Sequence, residues 1–259
     1  MIKISVIVTT YNRPKLLKET LDSILNQTYV DFELIVVDNN SNYDFFKLIE
    51  SFNDNRIIAY QNENDGVIAV NRNFGIKKSK GQYIAFCDDD DLWVKNKLEL
   101  QAKIVLNNNV DFISSNVFLF NKNIDNIIGK TNNRLVFSLN DFLNKNHINT
   151  STVLAKKSTL LKFNESADYI TVEDYQLWLK LYQNKYKFSF INTSLVYYRI
   201  SENTMSQKDA ANKHLRLISV IINIVLSETK GVSFIIFNKI IIMNYFKFII
   251  KKIIGFISK

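Results

Sequence analysis

Between Lys3 and Leu106, short β-prone apolar runs alternate with helical patterns, and nothing else in the chain restricts the fold so tightly. Lys3–Thr9 is a continuous apolar run rich in β-branched residues, as expected of a strand covered on both faces. A turn at Tyr11-Asn12-Arg13-Pro14 follows, and Pro14 suits a first helical turn. The helix runs to about Asn26, with Leu17, Leu21, Ile24 and Leu25 on one face. A second strand, Phe32–Val37, ends in Asp38-Asn39-Asn40-Ser41. A helix from Tyr43 to Phe52 leads to a short strand, Arg56–Tyr60. The polar loop Gln61–Asp65 and Gly66 open another helix reaching Ser79, and Gly81 turns the chain into the strand Tyr83–Phe86. This spacing predicts an α/β fold with a mostly parallel central sheet flanked by helices. Ligands of such sheets bind beyond the carboxyl ends of the strands. Three of those ends are unusually polar: Thr9-Thr10-Tyr11-Asn12, Asp38-Asn39-Asn40, and Asp88 to Asp91. As neighbours they would form one crevice.

The third of these ends is a run of four carboxylates, Asp88-Asp89-Asp90-Asp91, placed between a strand and a helical pattern, Val94 to Leu106. Adjacent carboxylates repel one another, which raises their pKa values unless cations or donors compensate. A helix cap accounts for one or two of them, most naturally Asp91. A hard divalent cation accounts for the rest, since Mg2+ or Mn2+ takes carboxylate oxygens and keeps positions open for phosphate.

Past Leu106 the pattern loosens. Strands are expected over Val110–Phe120, Thr152–Lys156, Phe188–Ile191 and Leu195–Tyr198, and helices over Leu139–Asn144, Glu173–Asn184 and Asp209–Leu226. Asn121–Asn133 reads as a solvated loop, Phe163–Val172 as a loop, and Glu202–Gln207 as a polar stretch. Leu177, Trp178 and Leu181 form the apolar side of their helix, so Trp178 reads as core.

Several classes are excluded early. No Gly-x-Gly-x-x-Gly follows the first strand and no Walker-type loop occurs, so a dinucleotide dehydrogenase or P-loop enzyme is not expected. The one cysteine, Cys87, excludes an internal disulfide and suits buried packing in a reducing compartment. The start reads as a strand without signal-peptide architecture, which points to the cytoplasm. After Glu228 no acid occurs, whereas Lys230, Lys239, Lys247, Lys251, Lys252 and Lys259 do, and those six account for all but two of the net charge of +8. The basicity therefore belongs to the tail and is no nucleic-acid-binding surface.

Taken together, Ser5-Val6-Ile7-Val8-Thr9-Thr10-Tyr11-Asn12, Val36-Val37-Asp38, Asn71-Arg72-Asn73-Phe74-Gly75-Ile76 and Gly81-Gln82-Tyr83-Ile84-Ala85-Phe86 resemble glycosyltransferase family 2. Asp88-Asp89-Asp90 matches that family's Asp-x-Asp motif, Glu173-Asp174-Tyr175-Gln176-Leu177-Trp178 its glutamate–aspartate helix start, and Tyr197-Tyr198-Arg199 with Asn203 and Ser206 its late loop. The resemblance covers about the first 207 residues and implies the glycosyltransferase A, or nucleotide-diphospho-sugar transferase, fold and an inverting sugar transfer. It implies that Asp38 accepts the N3–H of a uracil, where an Asx turn is the alternative. Thr9 and Tyr11 would flank base or ribose, with a plain strand end as the alternative for Thr9. Arg72 would lie near the nucleotide or its phosphates, with a solvated surface as the alternative. Asp88 and Asp89 would face the nucleotide, with Asp88 also toward the metal, while Asp90 would bind Mn2+ or Mg2+ directly. Asp174 would be the base that deprotonates the acceptor hydroxyl, and Glu173 the alternate, with helix capping as the competing role for both.

Two positions depart from the family pattern. Asp38-Asn39-Asn40-Ser41 lacks one acid and a glycine, and Ser201 stands where a histidine often follows the late arginine. The two histidines are His147, in a stretch resembling an acceptor wall, and His214.

The implied protein has a catalytic domain over residues 1–207, with a nucleotide-binding half at 1–106 and an acceptor-binding half at 107–207. Residues 208–259 form a basic helical extension. Val232–Ile257 is too polar for a spanning helix; Lys239, Asn244, Lys247 and Lys251 share one arc, as in a helix lying in an anionic membrane interface, and a packed helix or subunit contact is the alternative. The expected activity is transfer from a UDP-sugar to a glycan or lipid-linked acceptor in bacterial surface polysaccharide synthesis, at the inner face of the cell membrane. A catalytically inactive nucleotide-sugar-binding scaffold and a sugar nucleotidyltransferase are the other readings.

Overall fold

A computed structural model describes residues 3–133, 139–144, 146–200, 210–227 and 234–257. The helix-alternating half gives β1 (Ile4–Thr10), α1 (Pro14–Leu25), β2 (Phe32–Asp38), α2 (Phe45–Glu50), β3 (Ile57–Gln61), α3 (Ile68–Lys78) and β4 (Tyr83–Asp88). All seven residues of β1 and of β2 are buried, because both sheet faces are covered. Alternate residues feed two separate cores. Ile7, Ile35, Val37, Ile84 and Phe86 face one layer, while Ile4, Val6, Val8, Leu34, Val36 and Ala85 face the layer containing Leu17, Leu21 and Ile24 of α1. On the first side α3 lies close to β1 at Gly75, where a Cβ would stand 2.6 Å from Ile7 Cγ2. At the foot of the sheet Gly81 lets the chain pass the β1 backbone, since a Cβ there would fall 2.5 Å from the Ser5 nitrogen.

The remaining elements are β5 (Leu92–Trp93), α4 (Lys97–Asn108), β6 (Phe112–Asn121), β7 (Asn123–Lys130), α5 (Leu139–Asn144), β8 (Leu154–Lys156), α6 (Glu173–Gln183) and β9 (Phe188–Arg199). Two tail helices, Ala210–Ser227 and Phe234–Ile257, follow. Strand order is β3-β2-β1-β4-β8-β6-β9-β5, with β7 on β6. The expected parallel pairing holds from β3 to β4. Beyond β4 the sheet is mixed: β8 is antiparallel to β4 and β6, and β6 is parallel to β9.

Four local expectations are corrected. The Asn121–Asn133 stretch is largely the edge strand β7, whose polarity reflects exposure along nearly its whole length. The two short strands expected after Phe188 are one strand, continuous past Asn192 through a register shift opposite Asn116. Tyr197-Tyr198-Arg199 is the end of that strand and not a loop. The helix expected from Val94 begins at Lys97, because Leu92 and Trp93 pair with β9 first. Trp178 is fully buried against Phe112 and Phe163, and Cys87 is a buried free thiol, pushed up by burial.

The first tail helix packs on α6, and the second on α5 and on the first. Val220, Ile221, Ile224 and Ile240 complete the core on that side. The expected arc of Lys239, Asn244 and Lys247 is broken: Asn244 lies on the packed side, 3.2 Å from His214, while Lys239 and Lys247 are exposed. Ser201, Asn203, Ser206, the Glu202–Gln207 stretch, Lys230 and Lys259 lie outside the described residues.

Candidate active site

The three polar strand ends are neighbours. Register pairs Thr10 with Asp38 and Thr9 with Asp88, so β2, β1 and β4 open onto one crevice. Thr9 Oγ1 is buried there with no hydrogen-bond partner among the described residues. Tyr11 is 54% exposed at the rim. Asp38 is buried and holds the Asx turn, accepting from the Ser41 amide at 2.8 Å and from Gln61 Nε2 at 3.1 Å, with a further short bond from the Ser41 hydroxyl. Its two oxygens retain one acceptor position of about four.

Each of the four consecutive acids has a different environment. Asp88 closes β4; its Oδ1 accepts from Arg72 Nη2 at 2.8 Å, and about a third of its side chain is open to the crevice. Asp89 turns inward, accepting from Thr10 Oγ1 at 2.8 Å and Arg13 Nη1 at 3.0 Å. Burial raises its pKa. Asp90 shares the same Arg13 nitrogen at 3.0 Å. Burial and the charges of Asp88 and Asp89 push its carboxyl up to about 6. Asp91 is fully buried, accepting from Ser151 Oγ at 2.6 Å and from the Arg199 amide at 3.1 Å. Its expected role as a helix cap is therefore wrong; α4 starts six residues later, and Asp91 ties the acid turn to β9 and to the segment before β8. Burial, with the charges of Asp90 and Asp88, raises its pKa well above the usual carboxylate range.

Across the crevice, α6 begins at Glu173 and Asp174. Arg72 on α3 reaches both walls, since its Nη1 donates to Glu173 Oε1 at 2.8 Å while Nη2 holds Asp88. The guanidinium is buried over the Phe163 ring, and burial opposes its charge, but Asp88, Glu173 and Asp174 outweigh that and raise its pKa. Arg72 is thus no solvated surface residue. Glu173 is buried with it. Asp174 is only half-buried; Oδ1 accepts from the Tyr175 amide at 2.6 Å and Oδ2 from Thr150 Oγ1 at 3.2 Å. Burial raises its pKa, and Arg72 pulls it back. Of the two α6 acids, Asp174 is the less buried, and its Oδ2 has only the long Thr150 contact.

Sequence reasoning missed the supports. Ser151 Oγ accepts from the Asp88 amide at 3.0 Å while donating to Asp91. Arg199 donates through Nε to the Asp90 carbonyl at 2.9 Å and through Nη2 to Glu19 at 2.6 Å. His147 pairs with Asn133 at 3.3 Å. The one available signal was Arg13, a cation in the polar turn after β1.

As a donor set for a metal, Asp88 and Asp90 offer hard carboxylate oxygens, the kind Mg2+ and Mn2+ take. The strained charge of Asp90, surrounded by acids, fits an added cation. Among the described residues no group of three or more His, Cys, Asp and Glu is arranged to hold a metal. Two protein carboxylates with remaining ligands from substrate and water is the arrangement Mg2+ commonly takes.

Comparison with known proteins agrees with this geometry. The sequence pattern of glycosyl transferase family 2 matches residues 5–160. The chain is 34% identical over 206 residues to the Escherichia coli UDP-Glc:alpha-D-GlcNAc-diphosphoundecaprenol beta-1,3-glucosyltransferase WfgD, covering 78% of this chain and 79% of that one. It is 32% identical over 214 residues to the Escherichia coli O-antigen biosynthesis glycosyltransferase WbnJ, covering 80% and 83%. Among solved structures, Staphylococcus aureus TarS 1-349 in complex with UDP-GlcNAc superposes with a TM-score of 0.72 at 19% identity, over 95% of this chain and 72% of that one. The Pyrobaculum calidifontis mannosyltransferase PcManGT, in complex with GDP-Man and Mn2+, gives 0.68 at 16% identity, over 95% and 71%.

Proposed function

The chain belongs to glycosyl transferase family 2 and is a glycosyltransferase of the glycosyltransferase A fold, and on that premise we propose an inverting, metal-dependent transfer from a UDP-sugar. The observation that carries this is Arg72, whose guanidinium lies 2.8 Å from Asp88 on the donor side and 2.8 Å from Glu173 on the α6 side. One buried cation thus fixes the spacing between the acid turn and the start of α6.

In this reading Thr9, Tyr11 and the remaining acceptor position of Asp38 meet the base and ribose. Asp88 lines the nucleotide while Asp89, expected beside it, turns inward to Thr10 and Arg13 and supports the turn; Asp90 with Asp88 would hold Mn2+ or Mg2+, which when bound supplies Lewis acidity toward the departing diphosphate. The acceptor oxygen attacks the anomeric carbon from the α6 side, the bond to the diphosphate breaks, and the hydroxyl proton passes to Asp174. Inversion follows from one displacement. Glu173 serves as the counter-charge of Arg72, which takes it out of contention as base.

The acceptor is a lipid-linked sugar, the class named for the glucosyltransferase relative. The second tail helix supports action at a membrane surface. It exposes Ile242, Met243, Tyr245, Phe246 and Ile250 beside Lys239, Lys247 and Lys252. Apolar surface flanked by lysines suits the interface of anionic lipid. Among the described residues no helix is long and apolar enough to cross a membrane.

A screen of UDP-sugars measuring nucleotide release, with Mn2+ and with EDTA, tests the reaction. Release in Mn2+ that EDTA abolishes is expected. Release indifferent to EDTA, or pyrophosphate formed from a sugar phosphate and a nucleoside triphosphate, would contradict the proposal.

A further inference from the structure

We propose that Arg13 is a built-in competitor for the divalent cation, occupying Asp90 in the metal-free protein and yielding it on loading. The inference rests on Asp90 being a metal ligand. Arg13 sits in the turn between β1 and α1, and a single nitrogen, Nη1, lies 3.0 Å from both Asp89 Oδ1 and Asp90 Oδ2. Its Nε and Nη2 make no hydrogen bond to the described residues, and its side chain is 40% exposed.

The two carboxylates are not equivalent partners. Asp89 is fixed from behind by Thr10 Oγ1 at 2.8 Å and is the more buried of the two, with 8% of its side chain exposed against 16% for Asp90. Asp90 has no other side-chain donor among the described residues; Arg199 reaches only its carbonyl. Arg13 therefore has a permanent anchor in Asp89 and an exchangeable partner in Asp90. A long, half-exposed side chain held by one nitrogen gives up one contact while keeping the other. The arrangement neutralises an otherwise crowded acid turn before cation and donor arrive, and it sets a threshold that the cation must overcome. Removing the guanidinium takes positive charge away from Asp90, so a divalent cation should bind more tightly, although the metal-free turn becomes less comfortable.

The full chain is titrated calorimetrically with MnCl2, without nucleotide, as wild type, Arg13→Gln and Arg13→Lys. Arg13→Gln is expected to bind Mn2+ about three- to fivefold more tightly, the scale of losing a partly exposed ion pair that competes for one site. It should also show a larger rise in melting temperature on Mn2+ addition than wild type, a readout that a purely structural arginine would not move in that direction. Arg13→Lys, which keeps the charge but not the shared-nitrogen geometry, is expected between the two and decides the matter should the Gln variant fail to fold. A dissociation constant equal to or weaker than wild type in the folded variants overturns the inference alone. No Mn2+ uptake by any of the three overturns it together with the assignment of Asp90 as a ligand.

Discussion

Arg72 and Glu173, separated by 101 residues in sequence, form an ion pair at 2.8 Å in which both side chains are only 6% exposed. Because Arg72 also holds Asp88, removing it leaves two carboxylates without their cation. Arg72→Met is expected to lower stability by roughly 3–5 kcal/mol, the cost of breaking a buried pair from one side. Urea unfolding checks this. Glu173→Gln should cost less, and combining the two should recover part of the loss, since the double variant buries one fewer unpaired charge.

Asp174 and Glu173 separate by function. Asp174→Asn keeps the Tyr175 amide bond in place but removes the proton acceptor, so UDP release with acceptor should fall by about 10²-fold or more, while UDP affinity measured by calorimetry stays within about twofold. Loss of affinity in step with rate would instead make Asp174 part of the donor pocket.

Lys97 offers a test of stability unconnected to the reaction. Its ammonium is fully buried, 3.8 Å from the Trp93 ring centroid and 2.9 Å from Gln101 Oε1, and burial pushes its pKa down to about 7. The unfolded chain holds that proton up to about pH 10.4. Between those values the unfolded state binds more protons, so the contribution of Lys97 to stability improves as pH rises from about 7 to about 10 and is most unfavourable below 7. Lys97→Met should therefore be more stable than wild type at neutral pH by roughly 1–4 kcal/mol. The gap in urea midpoints should narrow at pH 9.5. A gap that does not change with pH would show that the ammonium is solvated in the folded protein, and one that widens would show that a partner stabilises its charge there.

The exposed face of the second tail helix makes a separate commitment. Phe246→Glu together with Ile250→Glu places acids where apolar surface now faces out. Binding of the full chain to vesicles containing about a third phosphatidylglycerol should drop at least tenfold, and folding monitored by circular dichroism should be unchanged. Equal binding by the double variant would remove this face as the membrane contact.

The sequence was most readable where one strand decides its own environment. The apolar run at Lys3–Thr9 required cover on both faces, and the structure supplies it for the strand Ile4–Thr10 with α1 on one side and α3 on the other. The polar ends of β1, β2 and β4 were visible as a set, and register makes them adjacent. What remained hidden depends on contacts across long separations. Ser151 reaches Asp91 over 60 residues, and the Arg199 amide reaches it over 108. No local pattern marks a serine before a three-residue strand as the support of an acid turn. Asp91 misled for the same reason, as an acid ahead of a helical pattern reads as a cap until the intervening strand β5 is known. In the tail, helical periodicity located the helix but not its packed side, because the partner surface at His214 is chosen by the fold of the whole chain.

The most direct test of the acid crevice is a crystal structure of the full chain grown with UDP and MnCl2, with anomalous data collected for manganese. The account requires a manganese peak within bonding distance of an Asp90 oxygen and of the UDP diphosphate, with the uracil beside Thr9 and Asp38. Manganese missing from Asp90, with the nucleotide ordered elsewhere or absent, would contradict it.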